Sequence, residues 1–186
     1  MIGVLGGAFD PPHNGHVGLA RGAKDAFGLE RLVFLVAANP GHKDVGTSAE
    51  ERLALAQAAF SGLGDVVLDE HARTIDAVHG GRFGDAVFVV GADEFADFLD
   101  WMDPNGVLEE VRLAVGTRPG YPRERLEAVL ERLERPDRVL FFDIAPIDIS
   151  SRDLRARRQR GEPLDGLVPA AVSRLIEERG LYRELD

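Results

Sequence analysis

Residues 2–16 read Ile-Gly-Val-Leu-Gly-Gly-Ala-Phe-Asp-Pro-Pro-His-Asn-Gly-His, and a segment with helical apolar spacing follows over 17–27. A short apolar run, a glycine pair and then a helix make a strand–loop–helix unit. The glycines let backbone come close to a ligand, because no Cβ stands in the way. The helix start turns unpaired N–H groups and the positive end of its dipole toward the loop, where an anion such as phosphate is stabilised. The spacing is neither Gly-x-Gly-x-x-Gly nor Gly-x-x-x-x-Gly-Lys-Ser/Thr, so those two nucleotide fingerprints are absent. His13 and His16 stand three residues apart at the loop–helix junction and can point to one side.

The rest of the chain repeats this alternation. Apolar runs rich in Val, Ile, Leu and Phe occupy 2–5, 32–36, 66–68, 86–90, 113–115 and 139–142. Such runs predict strands buried on both faces, the habit of a parallel sheet. Between them lie helical segments. Ser48-Ala-Glu-Glu51 is a capping box ahead of Leu53, Leu55, Ala56, Ala59 and Phe60. Pro122 opens a predicted helix over 122–135 that carries Leu126, Val129, Leu130 and Leu133 at helical spacing. Two more helices are predicted over 151–160 and 169–179. Strands alternating with helices predict an α/β fold with right-handed crossovers. In such folds a ligand sits beyond the carboxyl ends of the strands, where the strand order reverses, so function is to be sought just after each strand.

Composition narrows the classes. A chain of 186 residues is about one domain's worth, long enough to bury roughly 70% of its unfolded surface. Hydrophobic residues at 45% and charged residues at 29% are ordinary for a globular domain, which argues against disorder. The net charge of −10 argues against a protein that coats nucleic acid or an anionic membrane. It leaves room for a small anion held in a local basic pocket. With no cysteine, disulfides, thiolate catalysis and Cys-ligated zinc are excluded. The first residues carry no basic region, their apolar run stops at Asp10-Pro11-Pro12, and no run approaches a membrane span of roughly 20 residues. The expectation is a cytoplasmic protein, with homo-oligomerisation left open.

Spacing alone leaves three readings of the first loop: a tight turn with two surface histidines, a metal site of Asp10, His13 and His16, or a phosphate site. Four other clusters are similarly open. Asn39-Pro40-Gly41-His42-Lys43 is a turn with a solvated lysine or a cation aimed at a phosphate. Ile149-Ser150-Ser151-Arg152-Asp153-Leu154-Arg155 is a helix cap and a basic face or an anion site. Trp101, the only tryptophan, follows Phe95, Phe98 and Leu99 on a predicted apolar helix and is core or a flat stacking surface. Arg118-Pro119-Gly120-Tyr121 is a turn by composition. His71 and His79 have no evident partner and read as surface.

The pattern Gly6-Gly7-x-Phe9-Asp10-Pro11-x-His13-x-Gly15-His16 resembles the signature of the adenylyltransferase superfamily with the His-x-Gly-His motif. The lysine cluster is similar to the Pro-x-x-His-Lys stretch of the bacterial nicotinate mononucleotide adenylyltransferases. Residues 149–155 resemble their Ile-Ser-Ser-Thr-x-Ile-Arg, Gly91-Ala92-Asp93 their Gly-Ala-Asp, and 118–121 their Arg-Pro-Gly-Tyr. The segment Thr74-Ile75-Asp76 is similar to their Tyr-Thr-x-Asp-Thr. Gly161-x-Pro163-Leu164, Leu167-Val168-Pro169 and Leu181-Tyr182 continue the likeness almost to the end of the chain.

The resemblance implies a Rossmann-like parallel sheet with helices on both faces and a small C-terminal helical part over about 149–186, in one nucleotidyltransferase domain spanning 1–186. It implies transfer of AMP from ATP to nicotinate mononucleotide, with pyrophosphate released and no covalent enzyme intermediate, as a step of NAD biosynthesis. Magnesium would be carried by the ATP phosphates, with no protein side chain as metal ligand. His13, His16, Lys43 and Arg155 would be catalytic. Gly6, Gly7, Ala8, Phe9, Gly91, Asp93, Ile149 and Ser151 would hold ATP, while Thr74, Trp101 and Arg118 would hold the nicotinate nucleotide. The alternatives are nicotinamide mononucleotide or phosphopantetheine as acceptor, or a sensor that binds ATP or dinucleotide without turnover. This chain departs from the pattern at Ala8, where Ser or Thr is usual, at Arg152, which replaces Thr, and in a shortened segment 70–85 with Arg73 in place of Tyr and Ala77 in place of the second Thr.

Overall fold

The computed structural model describes residues 1–41, 45–71 and 73–183. Six strands form one sheet: β1 (Ile2–Gly7), β2 (Arg31–Ala37), β3 (Asp65–Asp69), β4 (Ala86–Gly91), β5 (Arg112–Thr117) and β6 (Val139–Asp143). Their order is β3-β2-β1-β4-β5-β6, and every pairing is parallel. The helices are α1 (Asn14–Phe27), α2 (Ala49–Ala59), α3 (Thr74–Val78), α4 (Ala92–Ala96), α5 (Pro104–Glu110), α6 (Arg123–Leu130), α7 (Ser151–Gln159) and α8 (Ala170–Glu178).

Alternation along the strands divides the core in two. Leu5, Leu32, Phe34, Val36, Val87, Val89 and Ala114 face one layer with residues of α1, α2, α7 and α8. Val4, Val33, Leu35, Phe88, Val90, Leu113 and Val115 face the other with residues of α3, α4, α5 and α6. Helices therefore cover both faces. The C-terminal part shares the first core through Leu154, Leu164, Val168, Val172, Ile176 and Tyr182. The order reverses at β1, which is followed along the chain by β2 on one side but lies beside β4 on the other. The ends of β1 and β4 thus open a crevice at the switch point.

Most predicted elements lie where the sequence puts them, and Ser48 caps α2 by accepting the Glu51 N–H at 3.2 Å. Three expectations are corrected. Burial on both faces holds for β1, β2, β4 and β5 but not for β3 and β6, which are the sheet edges and leave Val67 and Phe141 exposed. The helix expected over 122–135 ends at Leu130. Beyond it the bonds tighten to i→i+3, from Arg132 to Val129 and from Leu133 to Leu130, and Leu133 is still buried. Trp101 lies just past a single 3₁₀ turn over Phe98–Asp100 with extended backbone, rather than on an apolar helix.

Candidate active site

The loop after β1 is built from the inside outward. Phe9 is buried with a left-handed φ of 52°, and its ring packs edge-on against Phe60 at 5.1 Å and against His16 at 5.1 Å. Its side chain belongs to the core, which leaves only the Phe9 backbone to face the loop. Gly6, Gly7 and Ala8 carry the chain from β1 to this anchor.

His13 is the N-cap of α1, with extended backbone, and is 7% exposed. Its main-chain N–H donates to Nδ1 of His16 at 3.2 Å, and the two rings lie 3.8 Å apart at 31°. An Nδ1 that accepts leaves the proton of a neutral imidazole on Nε2, so His16 presents a donor away from the helix start. Burial pushes the His13 pKa down to about 4, so its ring is neutral at neutral pH. Nδ1 of His13 is buried and has no hydrogen-bond partner among the described residues. Gly15 makes the arrangement fit, since a Cβ there would come within 2.9 Å of His13 Nδ1.

The C-terminal helical part closes over the same loop. Ser151, the first residue of α7, donates its hydroxyl to the Pro11 carbonyl at 2.9 Å. Arg155, one turn on, donates from Nη1 to the Asp10 carbonyl at 2.9 Å. Ser150 caps α7 by accepting the Asp153 N–H at 3.1 Å. Asn14 donates to the Gly166 carbonyl at 2.8 Å and, through its main chain, to Leu167 at 3.0 Å. The predicted His13, His16, Ser151 and Arg155 are therefore brought onto one loop. Ile149 is half-buried against the first core, and Arg152 is exposed. Lys43 lies outside the described residues.

On the other side of the switch point, Gly91 is the N-cap of α4, and a Cβ there would meet nothing within 4 Å, so the crevice is open above it. Asp93 in the first turn lies 3.8 Å from Arg118, which also pairs with Asp148 at 3.3 Å. The structure thus brings one predicted adenosine-side residue, Asp93, beside one predicted mononucleotide-side residue, Arg118. A groove of about 490 Å³ opens beside Arg118 at the ends of β5 and β6, within the usual size of small-molecule sites. Thr74 starts α3 after β3, and Trp101 follows β4, packing edge-on against Phe98 at 5.1 Å and Phe88 at 6.4 Å. Trp101 is half-buried, so its ring is shared between core and surface.

Several partners are not predicted from sequence. Arg52 on α2 is 1% exposed, and its guanidinium donates to the Ala8 carbonyl at 3.1 Å, to Ala37 at 2.5 Å and to Ala38 at 2.9 Å. One buried cation thereby ties the loop after β1 to the loop after β2. A signal was available: Arg52 falls at i, i+3, i+4, i+7 with Leu55, Ala56 and Ala59, on the buried stripe of its helix. His71 is paired with Asp69 at 2.7 Å, and His79 with Glu110 at 3.3 Å, which corrects the reading of both as unpartnered. Asp10 is buried, and its carboxylate accepts from the Gly46 N–H, the Thr47 hydroxyl at 2.7 Å and the Tyr182 hydroxyl at 2.6 Å. Those donors set aside Asp10, His13 and His16 as a metal site.

A glycine-rich loop carrying two imidazoles at the reversal point of a parallel sheet, closed by a serine and an arginine from a later helix, defines a nucleotidyltransferase-like α/β protein. The model of the family described as cytidylyltransferase-like matches residues 4–157. The chain belongs to this family and, within it, to the nicotinate-nucleotide adenylyltransferases. It is 35% identical to a probable nicotinate-nucleotide adenylyltransferase of Rubrobacter xylanophilus, over 98% of this chain and 92% of that protein. It is 34% identical to one of Thermus thermophilus, over 98% and 99%. A Plasmodium falciparum nicotinic acid mononucleotide adenylyltransferase solved in complex with NaAD shares the fold, with a TM-score of 0.71 at 16% identity over 97% of this chain and 96% of that one. Among the described residues no helix is long and apolar enough to cross a membrane.

Proposed function

We propose that this chain transfers AMP from ATP to nicotinate mononucleotide, forming nicotinate adenine dinucleotide and pyrophosphate. A phosphate oxygen of the acceptor attacks the α-phosphorus. The bond from that phosphorus to the bridging oxygen of the β-phosphate breaks, and its electron pair leaves with pyrophosphate. No side chain need become covalently attached, so the chain contributes alignment and charge stabilisation. The observation that carries this reading is the His13–His16 pair at the start of α1, closed from above by Ser151 and Arg155.

In this mechanism His13, neutral at neutral pH, and His16 donate to the α- and β-phosphate oxygens, where negative charge builds. Arg155, the start of α7 at Ser151, and Lys43 stabilise the departing pyrophosphate. Gly6, Gly7, Ala8 and the Phe9 backbone line the phosphates. Gly91 and Asp93 position ribose and adenosine, with Ile149 on the adenosine side. Trp101 stacks on the pyridine ring, and Thr74 and Arg118 hold the rest of the acceptor. Among the described residues no group of three His, Asp or Glu side chains could hold a metal ion. Magnesium would arrive on the triphosphate with its waters and neutralise phosphate charge there. We place the reaction in the cytoplasm.

The test is pyrophosphate release from ATP and magnesium, with nicotinate mononucleotide, its amide and phosphopantetheine offered separately. The reading expects release with nicotinate mononucleotide. ATP binding with no release from any of the three contradicts it and favours a sensing role.

A further inference from the structure

A second cluster of charged side chains stands at the carboxyl end of β3, away from the loop that carries His13 and His16. Asp69, the last residue of β3, pairs in register with Ala37 of β2, and its main-chain carbonyl accepts the Ala38 N–H at 2.8 Å. Val66 and Leu68 pack against the core layer of α1 and α2, so Asp69, next along the strand, turns to the opposite face. That face is the one on which Ala77 and Val78 of α3 are buried and against which Trp101 packs.

The Asp69 side chain is 8% exposed, while its partners His71 and Arg82 are 44% and 38% exposed. Nδ1 of His71 lies 2.7 Å from Asp69 Oδ1, and Nη1 of Arg82 lies 3.1 Å from the same oxygen and 3.4 Å from that Nδ1. Nη1 also donates to the Ala77 carbonyl at 3.3 Å, and the guanidinium carbon stands 4.9 Å from the centre of the Phe83 ring. An ionised carboxylate only accepts, so His71 turns a proton on Nδ1 toward Asp69, and a second proton makes the ring a cation with Nε2 as donor. Nε2 of His71, like Nε and Nη2 of Arg82, has no partner among the described residues. The pairing with Asp69 therefore does not compete with a ligand. The inner nitrogens stay on the buried carboxylate, which fixes both side chains from behind, and the outer nitrogens are left to bind.

The anion such a pair would meet follows from its place. In the proposed reaction the acceptor's phosphate must reach the α-phosphorus beside His13 and His16, on the loop after β1. Asp69 lies on an edge strand two strands away from β1, roughly 10 Å. His71 precedes by three residues Thr74, the proposed acceptor residue that opens α3. The charged group of the acceptor that belongs here is therefore the one remote from the reaction, the carboxylate on its pyridine ring.

We propose that His71 and Arg82, anchored by Asp69, bind the pyridine carboxylate of nicotinate mononucleotide and so set the preference for the acid over the amide. His71 and Arg82 touch the substrate, and Asp69 is a positioning residue behind them. The proposal rests on the reading of this chain as an adenylyltransferase and adds the basis of its specificity.

The test measures pyrophosphate release from ATP–magnesium with nicotinate mononucleotide or its amide, for wild type, His71→Gln, Arg82→Gln and His71→Arg, with a thermal melt of each. Wild type favours the acid. His71→Gln and Arg82→Gln each lower the acid-over-amide ratio of kcat/KM about tenfold, through the KM of the acid, as the loss of one hydrogen bond to a charged group requires. His71→Arg returns a cation to the position and brings the ratio to within about threefold of wild type. Either glutamine variant carries the test should the other fold poorly. An unchanged ratio in the glutamine variants, equal losses for acid and amide, or no recovery in His71→Arg overturns the proposal and leaves adenylyl transfer standing. Equal use of both acceptors by wild type overturns it as well. No release from wild type with either acceptor removes the proposed function first, and this inference with it.

Discussion

At the proposed phosphate end of the crevice, Asp10, Arg52, Ser151, Arg155 and Tyr182 hold one loop through buried and part-buried contacts, the longest of which joins residues 172 positions apart. At the proposed acceptor end, Thr74, Trp101 and Arg118 stand on three separate connections after β3, β4 and β5, and Arg118 is held by Asp93 and Asp148, whose side chains are 75% and 100% exposed. The contrast follows from what each end has to do. Charge develops at the α-phosphate, and donors stabilise it most when they are fixed beforehand in a dry site. The acceptor has only to be recognised, and half-exposed side chains on independent connections can be exchanged at little cost to the fold. Exposed ion pairs such as Arg118–Asp93 add about 1 kcal/mol or less to stability.

The contrast breaks most directly at His16. Replacing it by alanine removes one preorganised donor and is expected to lower kcat about 10²- to 10³-fold with little change in acceptor KM, measured by pyrophosphate release. Next in size is Arg52→Met, which strands three carbonyls. Urea unfolding is expected to show a stability loss of about 4 kcal/mol, against about 1 kcal/mol or less for Arg118→Ala; similar losses for the two would erase the distinction between the ends.

Protonation of His13 comes third. Its folded pKa of about 4 lies below the ordinary 6.5, so as pH falls the unfolded chain takes up the proton first. The contribution is complete above about pH 6.5, is lost progressively toward pH 4, and amounts to roughly 3 kcal/mol. Urea midpoints at pH 7 and pH 4.5 are expected to separate more for wild type than for His13→Gln. At the acceptor end, Trp101→Ala is expected to raise the nicotinate mononucleotide KM about tenfold, through the loss of one stacking surface, with the ATP KM within about twofold. An equal rise in both would mean that Trp101 serves the core alone.

The strand–loop–helix start was legible because its signals are local: an apolar run, two glycines and a histidine pair within 15 residues. The alternation of strands and helices was legible for the same reason. Edge strands were not, since the apolar run of Val66, Val67 and Leu68 looks the same whether a second sheet neighbour exists or not. A motif singles out the histidines and Ser151 as candidates, but what holds them in place is hidden in the sequence. Arg52 reads as one more charge on an acidic and basic helix until its register with Leu55, Ala56 and Ala59 is noticed. Tyr182 and Asp10 lie at opposite ends of the chain, and no local pattern announces that they meet. Phe95, Phe98 and Leu99 suggest a helical period that would carry Trp101, whereas α4 stops at Ala96 and gives way to a 3₁₀ turn.

The most direct test of the central claim follows the α-phosphorus itself. ATP labelled at that atom, incubated with magnesium, the whole protein and nicotinate mononucleotide, is expected to give a labelled dinucleotide and one unlabelled pyrophosphate for each molecule formed. Label that stays with ATP or appears only as free AMP, while ATP binding to the protein is intact, would contradict adenylyl transfer.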